Sequence, residues 1–377
     1  MTSSGRSLKL TQPGKRPVPM IESSSSETLV SGDEVKALIH WFHQYAIDYP
    51  WGDNPTPYRV WISEIMLQQT VVSAAIEHFI QWMKLFPDIM TLARADEQAV
   101  LKAWEGLGYY SRARNIHKGA RYITDSHSGI IPGSYDELIK IPGIGDYTAR
   151  AILSLAFSQA FPVLDANVRR IGQRLLALRE WQVRDDKRLL IQLESLIPHD
   201  SPGVFNCALM QLGQILCRVR SPECSLCPLS KSCQTRTLGL QGEIPAAKKR
   251  KIKEKESTLL LLASRGTVLL TRRNKGLGKG LWFIPSVPRG TEQPLLEALT
   301  EGTAEVLTLQ ERVHLYTTWK ERLFPFLVVL KDVSRDIPSW VLSHEDDDAA
   351  WIQVSELDSY PTPSVYRKIL EEIPPLF

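Results

Sequence analysis

The stretch of residues 141–170 constrains the fold of this chain most strongly. It begins Ile-Pro-Gly-Ile-Gly-Asp-Tyr-Thr-Ala-Arg, continues through an apolar run, and ends in Leu-Asp-Ala-Asn-Val-Arg-Arg. Pro142, Gly143 and Gly145 form a tight turn that no long helix could contain, and the apolar period after Tyr147 predicts a buried helix. The turn therefore leads into a helix N-terminus, where free backbone N–H groups and the helix dipole favour an anion.

Asp165 stands just before the next periodic run, which predicts that it caps a second helix. An ordinary turn and an ordinary N-cap aspartate would be the commoner explanation of either feature alone. The two together, a helix length apart, resemble the helix–hairpin–helix and Gly/Pro…Asp signature of base-excision DNA glycosylases. The resemblance implies that the amides of Gly143 and Gly145 bind a DNA phosphate, and that Asp165 faces an extruded nucleotide.

Four of the five cysteines fall within seventeen residues, while Cys207 stands apart. The clustered four form the array Cys217-x6-Cys224-x2-Cys227-x5-Cys233. In a chain without an export signal, such clustering argues for metal binding rather than disulfides. Four thiolates at this spacing can enclose a zinc ion or an iron–sulfur cluster, and the spacing alone does not separate the two. Arg218, in the first loop of the array, could reach DNA phosphates.

A candidate acid lies on an earlier helix, whose start is predicted at Thr56 and Pro57. Glu64 sits there among apolar residues such as Trp61 and Ile65. Periodicity alone slightly favours a glutamate that reaches solvent from the helix edge. If the side chain is instead partly removed from water, burial raises its pKa and suits it to act as a general acid.

The stretch Gly-Leu-Gly-Tyr-Tyr-Ser-Arg-Ala-Arg-Asn, at positions 106–115, combines a glycine break with aromatic and basic residues. The mixture suits a loop in which Arg112 and its neighbours contact bases and phosphates. It suits equally well a turn between helices with packed tyrosines and solvated arginines.

The chain of 377 residues is long enough for two or three domains. We predict a disordered tail (1–30), an all-α region containing the cysteine array (31–236), a basic linker (237–256) and an α+β domain (257–377). Strands are predicted at 257–262, 267–271 and 324–330 from runs rich in Leu and Val. The net charge of +3 gives only mild support for a polyanionic partner.

No run approaches the ~18 uncharged apolar residues of a membrane span, and no apolar segment follows the basic N-terminus as in a secretory signal. We therefore expect no membrane contact and, in a bacterium, a cytoplasmic, nucleoid-associated protein. We also expect a monomer.

Taken together, residues 33–377 resemble the MutY-type adenine DNA glycosylases. The motifs that carry the resemblance are Trp-Ile-Ser-Glu-Ile-Met-Leu-Gln-Gln-Thr, the glycine–tyrosine–arginine stretch, the Pro-Gly hairpin, Leu-Asp-Ala-Asn-Val-Arg-Arg and the cysteine array. The resemblance implies a [4Fe–4S] cluster on Cys217, Cys224, Cys227 and Cys233, and a Nudix-like C-terminal domain. The implied partner is double-stranded DNA with a mismatch or an oxidised guanine.

The resemblance also implies residue roles. Glu64 would protonate the leaving base, and Asp165 would stabilise an oxocarbenium-like sugar or attack it. Tyr147 and Asn167 would hydrogen-bond around the reacting groups. Gln69 and Tyr109 would fill or probe the base stack. Related bifunctional glycosylases carry a lysine at position 147, so tyrosine there implies base removal without efficient strand cleavage.

The environments of the two carboxyl groups predict different pKa shifts. An apolar helix should raise the pKa of Glu64, whereas a helix N-terminus should lower that of Asp165. The raised group would serve as the acid and the lowered one as the stabilising base. An adenine glycosylase is therefore the function that we expect from this pair together with the family motifs.

Three positions depart from the family pattern and concern specificity. Gly52 stands where the family usually has arginine, and Cys207 where it usually has glutamine or glutamate. Tyr316-Thr317-Thr318 aligns with a Phe-Ser-His loop that reads 8-oxoguanine. These departures leave open a glycosylase for another mismatched base, such as thymine or uracil opposite guanine. A non-catalytic damage-binding protein is a third possibility, but a pure binder has no need for both Glu64 and Asp165.

Overall fold

The computed structural model describes residues 29–246, 252–300, 305–316, 318–330, 341 and 347–373. Thr317, residues 1–28 of the predicted tail and residues 247–251 of the predicted linker lie outside this described part. Leu29 and Val30 were assigned to the tail, and this was wrong. Val30 is buried, and the backbone N–H of Leu29 donates to Gln192 Oε1 at 3.2 Å.

Helices form the first part of the chain, as predicted. They are α1 (Gly32–Tyr45), α2 (Pro57–Leu67), α3 (Val72–Leu85), α4 (Ile89–Arg94), α5 (Glu97–Ala103), α6 (Ser111–His127), α7 (Tyr135–Leu138), α8 (Asp146–Ala156), α9 (Ala166–Leu175), α10 (Val183–Leu196), α11 (Pro202–Ile215) and α12 (Gln234–Thr237). The predicted cap is present at α2, where the Thr56 side chain accepts from the Arg59 N–H and Pro57 is the first helical residue.

The apolar period of the sequence predicts a first helix over residues 33–49, but the helix ends four residues earlier, at Tyr45. Its last carbonyl, that of Tyr45, accepts from Gln211 Nε2 at 2.7 Å, and the N–H of Ile47 donates to Gln211 Oε1 at 3.0 Å. A side chain of α11 thus takes over the backbone bonds that another helical turn would have made. This tertiary contact could not be predicted from local periodicity.

The helices form two lobes with separate apolar cores. The first core is built from α2 to α8 around fully buried aromatic residues such as Trp61, Trp82 and Trp104. The second unites α1 with α9, α10 and α11 and contains Leu38 and Phe205. The helices α8 and α11 belong to different lobes and pack against each other, so side chains from both lobes meet at this junction.

In its described residues, the C-terminal part forms a mixed eight-stranded sheet with two α-helices. Its elements are β1 (Lys253–Ser264), β2 (Thr267–Arg272), β3 (Trp282–Phe283), β4 (Ser286–Pro288), α13 (Gln293–Thr300), β5 (Glu305–Thr308), β6 (Arg312–Tyr316), β7 (Trp319–Val329), β8 (Asp348–Gln353) and α14 (Ser364–Leu370). The strand order is β3-β2-β1-β7-β5, with β4 on β1, β6 on β7 and β8 on β2. β1 and β7 run parallel from the pair Lys253–Trp319 to the pair Ala263–Val329.

The predicted linker is too long by four residues at its end, because Lys253–Glu256 already pair with β7. The four consecutive leucines that follow are explained by a strand covered on both faces. Leu259 and Leu261 belong to the core shared with the first lobe, and Leu260 and Leu262 pack on the other face.

The two domains are in direct contact. Gln98 of α5 donates from Nε2 to the carbonyl of Gly280 and accepts from Trp282 Nε1, each at 3.0 Å. Arg367 of α14 forms a salt bridge with Glu105 at 3.0 Å. In the described part of the chain, no helix is long and apolar enough to cross a membrane.

Candidate active site

Glu64 lies at the junction of the two lobes and is only 6% exposed. The reading that places it at a solvent-exposed helix edge is therefore wrong. The phenol of Tyr147, on α8, donates to Glu64 Oε2 at 2.5 Å. Burial raises the pKa of Glu64 to about 7, with a further rise from the negative charge of Asp165 and a lowering by the Tyr147 hydrogen bond. A large fraction of Glu64 is therefore protonated at neutral pH, as a general acid requires.

Asp165 caps α9, as predicted, and its Oδ1 accepts from the Val168 N–H at 2.7 Å. The expectation of a lowered pKa is wrong, because burial raises the pKa of Asp165 and outweighs the hydrogen bonds from Val168 and Asn167. The helix N-terminus still favours the ionised carboxyl, but the removal of the group from water favours the neutral form more strongly. Burial of Glu64 and Asp165 at one junction raises the pKa of each.

Asn167 orients Asp165, and Arg170 in turn orients Asn167. Arg170 was not among the site residues predicted from the sequence. Asn167 Nδ2 donates to Asp165 Oδ2 at 2.8 Å, and Arg170 Nη2 donates to Asn167 Oδ1 at 2.8 Å. Arg170 Nε also donates to the carbonyl of Cys217 at 2.8 Å. The i, i+3 spacing of Asn167 and Arg170 could have indicated this contact, because residues three apart on a helix are neighbours on its surface. Gly213 faces Asn167, where a Cβ would come within 2.5 Å of Asn167 Cβ.

The predicted hairpin is present between α7 and α8. Gly143 has a φ of +86°, which explains the glycine, and Gly145 is the extended N-cap of α8 without a side-chain cap. No described residue accepts a hydrogen bond from the N–H of Gly143 or Gly145. These two amides, together with the dipole of α8, form a local positive potential suited to an anion.

Gln69 and Tyr109 are exposed on two loops that precede α3 and α6. Arg112 lies between them and is partly buried, and its predicted contact with DNA stays a prediction. It is a residue of α6 whose guanidinium donates to the carbonyls of Ile65 and Leu107 at 2.7 and 3.0 Å. From Ser111 onward the stretch is helix rather than loop.

All four cysteines of the array line one cavity, which Arg174 also borders. None forms a disulfide, and Arg174 Nη1 donates to Cys217 Sγ at 3.3 Å. A ring of free thiols with a positively charged donor fits a cluster held by thiolates. In the parts of the chain that are described, no three His, Cys, Asp or Glu side chains are placed to ligate one metal ion. Arg218 lies outside this cavity and pairs with Glu223 at 2.7 Å.

Of the residues aligned with the opposite-base loop, Tyr316 ends β6 and Thr318 stands just before β7. Tyr316 Oη donates to Glu321 Oε2 at 2.8 Å, and the carbonyl of Thr318 accepts from the Lys253 N–H at 2.7 Å. A cleft of about 730 Å³ runs between the domains, and it is lined by Tyr109 on one side and Tyr316 on the other.

Residues 62–199 match the family described as HhH-GPD superfamily base excision DNA repair protein, and residues 258–372 match the NUDIX domain family. The adenine DNA glycosylase of Buchnera aphidicola subsp. Baizongia pistaciae is 30% identical to this chain, over 90% of this chain and 96% of its own length. The chain belongs to the adenine DNA glycosylase family. The human adenine DNA glycosylase is 31% identical over 67% of this chain and 57% of its own length.

Among solved structures, a thermostable thymine-DNA glycosylase superposes with a TM-score of 0.51 and 24% identity, over 54% of this chain and 95% of its own. That likeness shows the fold of the helical part alone. Membership of the adenine DNA glycosylase family confirms the predicted enzyme class, a hydrolytic glycosylase, and the predicted order of a helical domain before a Nudix-like domain.

Two positions at which the resemblance implies a departure from the family pattern lie in different surroundings. Cys207, on α11, is close enough to Glu64 for the two groups to interact electrostatically, and burial together with that carboxylate raises the pKa of the Cys207 thiol to about 12. Gly52 instead lies in an exposed turn that its N–H closes onto the Tyr49 carbonyl at 2.8 Å.

Proposed function

We propose that this protein removes adenine from duplex DNA, opposite 8-oxoguanine or guanine, by hydrolysing the N-glycosidic bond. One observation carries the proposal. Glu64 is buried, its carboxylate accepts a hydrogen bond from Tyr147, and its pKa is about 7. It also interacts electrostatically with Asp165, whose side chain caps α9 in the opposite lobe. The adenine DNA glycosylases to which the chain is similar supply the substrate class.

In the proposed reaction, Glu64 donates its proton to N7 of an extruded adenine. The bond between C1′ and the base then breaks, and its electron pair leaves with the neutral base. Asp165 stabilises the positive charge that develops on the sugar, or attacks C1′ to give a transient covalent intermediate. Water adds to C1′ and leaves an abasic site. The adenine must first leave the stack, at a cost of about a few kcal/mol.

The neighbouring side chains support these two carboxyl groups. Tyr147 keeps Glu64 in place by its phenol, and Asn167 directs Asp165 through a bond at 2.8 Å. A phenol cannot form a Schiff base, so strand cleavage should be inefficient. Borohydride should therefore trap little covalent adduct with the abasic product.

Other exposed groups suit the handling of DNA. The free amides of Gly143 and Gly145 would bind a phosphate, and Arg218 would approach the backbone near the cysteine array. Gln69 and Tyr109 would fill the space that the extruded base leaves. Across the interdomain cleft, Tyr316 and Thr318 would inspect the opposite base together with Thr317. Contacts with the charged phosphates release counterions from the DNA, so the affinity should fall as the salt concentration rises.

A [4Fe–4S] cluster fits the four cysteines, and Cys217, Cys224, Cys227 and Cys233 would hold it. When bound, the cluster would stabilise its loop and help that loop contact DNA rather than take part in catalysis. Arg174 would support it by the N–H···S bond to Cys217.

The position of Cys207 favours a second candidate function, which is the removal of thymine or uracil opposite guanine. Cys207 lies beside Glu64, where a glutamine or glutamate of the family would offer strong hydrogen bonds to adenine. A protonated thiol is a weak donor and acceptor, so the selection of adenine would be weaker. Substitution of Cys207 by glutamine should then increase adenine excision.

A single-turnover glycosylase assay tests both candidates. The duplexes carry adenine opposite 8-oxoguanine, guanine or cytosine, and thymine or uracil opposite guanine, and alkali then reveals abasic sites. Fast cleavage of adenine opposite 8-oxoguanine supports the first candidate. Cleavage of thymine or uracil instead supports the second, and binding to a damaged duplex without any base release contradicts both.

A further inference from the structure

Two exposed side chains occupy backbone conformations that residues other than glycine seldom adopt. Gln69 has a φ of +58° and Tyr109 a φ of +47°. Each lies at the tip of its own loop, one after α2 and the other before α6. Left-handed backbone at such residues is unfavourable and persists only where surrounding contacts fix it. Those contacts must therefore come from outside the two loops or from between them.

The guanidinium of Arg112 supplies these contacts to both loops at once. Nη1 donates to the end of α2 and to the loop that follows it, and Nη2 donates both to Thr70 of that loop and to two carbonyls of the second loop. Its acceptors are neutral oxygens: the carbonyls of Ile65 (2.7 Å), Met66 (3.1 Å), Gln68 (2.5 Å), Leu107 (3.0 Å) and Gly108 (3.2 Å), and the hydroxyl of Thr70 (3.3 Å). The bonded carbonyls of Gln68 and Gly108 belong to the residues just before Gln69 and Tyr109.

Arginine suits this position for geometric and electrostatic reasons. Its planar fork holds donors in fixed directions, whereas a lysine ammonium is a compact point charge. The positive charge also faces the C-terminal carbonyls of α2, where the helix dipole favours it. The guanidinium lies over the rings of Trp104 and Tyr109, at 5.2 and 5.7 Å from their centroids. Burial lowers the pKa of Arg112 to about 10, so the side chain stays charged at neutral pH.

We propose that Arg112 is a positioning residue for base extrusion, one that joins the two loops into a single rigid unit. Gln69 and Tyr109 then enter the duplex together, at a fixed separation, while the adenine leaves it. This inference rests on the proposed glycosylase function. It assigns Arg112 no contact with DNA and no part in the bond cleavage, since its donors are directed at protein oxygens.

The test compares Arg112→Lys and Arg112→Met with Arg121→Lys as the matched control. Arg121 lies on the same helix and also donates to backbone carbonyls, those of Ala93 and Ala95 at 3.2 and 3.5 Å, but it contacts neither loop. Each protein is assayed under single turnover on adenine paired opposite 8-oxoguanine and on adenine in a single-nucleotide bulge. Extrusion is followed separately by 2-aminopurine at the target position, whose fluorescence rises when it leaves the stack.

We expect both Arg112 variants to lose 10- to 100-fold in rate on the paired duplex, which corresponds to about 1.4 to 2.8 kcal/mol. On the bulged adenine, which is already unpaired, the loss should be less than threefold. The rise in 2-aminopurine fluorescence should be lost in the Arg112 variants and kept in Arg121→Lys. Equal losses on both substrates, or an unchanged fluorescence rise, would overturn the proposal.

A second experiment keeps Arg112 in place and so does not depend on how its variants fold. Gln69→Ala, Tyr109→Ala and the double variant are compared on the paired duplex. If the loops act as one unit, the double variant loses no more than threefold beyond the worse single variant. Losses that multiply would show two independent probes and refute the proposal. A wild-type chain that releases no adenine refutes the proposed function alone, because 2-aminopurine reports extrusion without base release.

Discussion

Substitution of Tyr147 by phenylalanine should move the pH dependence of base release to higher pH. The variant keeps the ring and removes the phenol that donates to Glu64 Oε2 at 2.5 Å. That bond stabilises the ionised form of Glu64 and so lowers its pKa. Without it, the protonated form of Glu64 should persist at higher pH.

The size of this shift follows from the energy of the bond. A hydrogen bond to a charged acceptor contributes about 1.5–3 kcal/mol, and one pKa unit corresponds to about 1.4 kcal/mol. The pKa of Glu64 should therefore rise by about one to two units from its value of about 7. Since the protonated carboxyl is the acid, activity is present below this pKa and is lost as the pH rises through it. The pH at which the rate falls to half should rise by the same amount.

The assay is the single-turnover rate of base release between pH 5.5 and 9, with each variant normalised to its own plateau. The absolute rate of Tyr147→Phe should fall, because Glu64 is then held less well. Tyr122→Phe is the control, since Tyr122 packs beside His127 on α6 and should not alter the profile. A falling limb that stays in place or moves to lower pH in Tyr147→Phe would refute the assignment of Glu64 as the acid.

Two further predictions concern stability and the cysteine array. Glu64→Gln should stabilise the fold by about 3 kcal/mol at pH 8, because ionising a carboxyl whose pKa has risen from 4.5 to about 7 opposes folding, and the gain should vanish below pH 4.5. Urea unfolding at the two pH values measures this, and an equal effect at both would contradict it. Cys224→Ser should lose the iron and acid-labile sulfide that Cys207→Ser retains, as elemental analysis would show. Equal iron in the two variants would argue against the cluster.

The local sequence was sufficient to predict much of the helical domain and of its candidate site. Turn and cap residues are short-range signals, so the hairpin at Gly143 and the cap at Asp165 could be predicted without knowledge of the fold. The same holds for the start of α2 at Thr56 and for three of the described strands, β1, β2 and β7. The cysteine spacing likewise placed four thiols on one segment, and the structure places them around one cavity.

Burial was the property that the local pattern did not determine. Glu64 was slightly favoured as a solvent-reaching residue, yet α8 and α11 cover it and raise its pKa. The helix N-terminus of Asp165 suggested a lowered pKa, but desolvation at the junction of the two lobes raises it. Desolvation depends on residues distant in sequence, so only the packed lobes decide its size.

The sequence by itself determined the helix caps, the turns and the spacing of the cysteines, because each of these features depends only on a few neighbouring residues. The tertiary structure decided how the long polar side chains are used. The sequence predicts Arg112 as a DNA contact, and in the structure its guanidinium binds carbonyls 44 to 47 residues away as well as those of the loop before its own helix. A guanidinium can reach several acceptors. Which of them it binds depends on which oxygens the fold leaves without other hydrogen bonds.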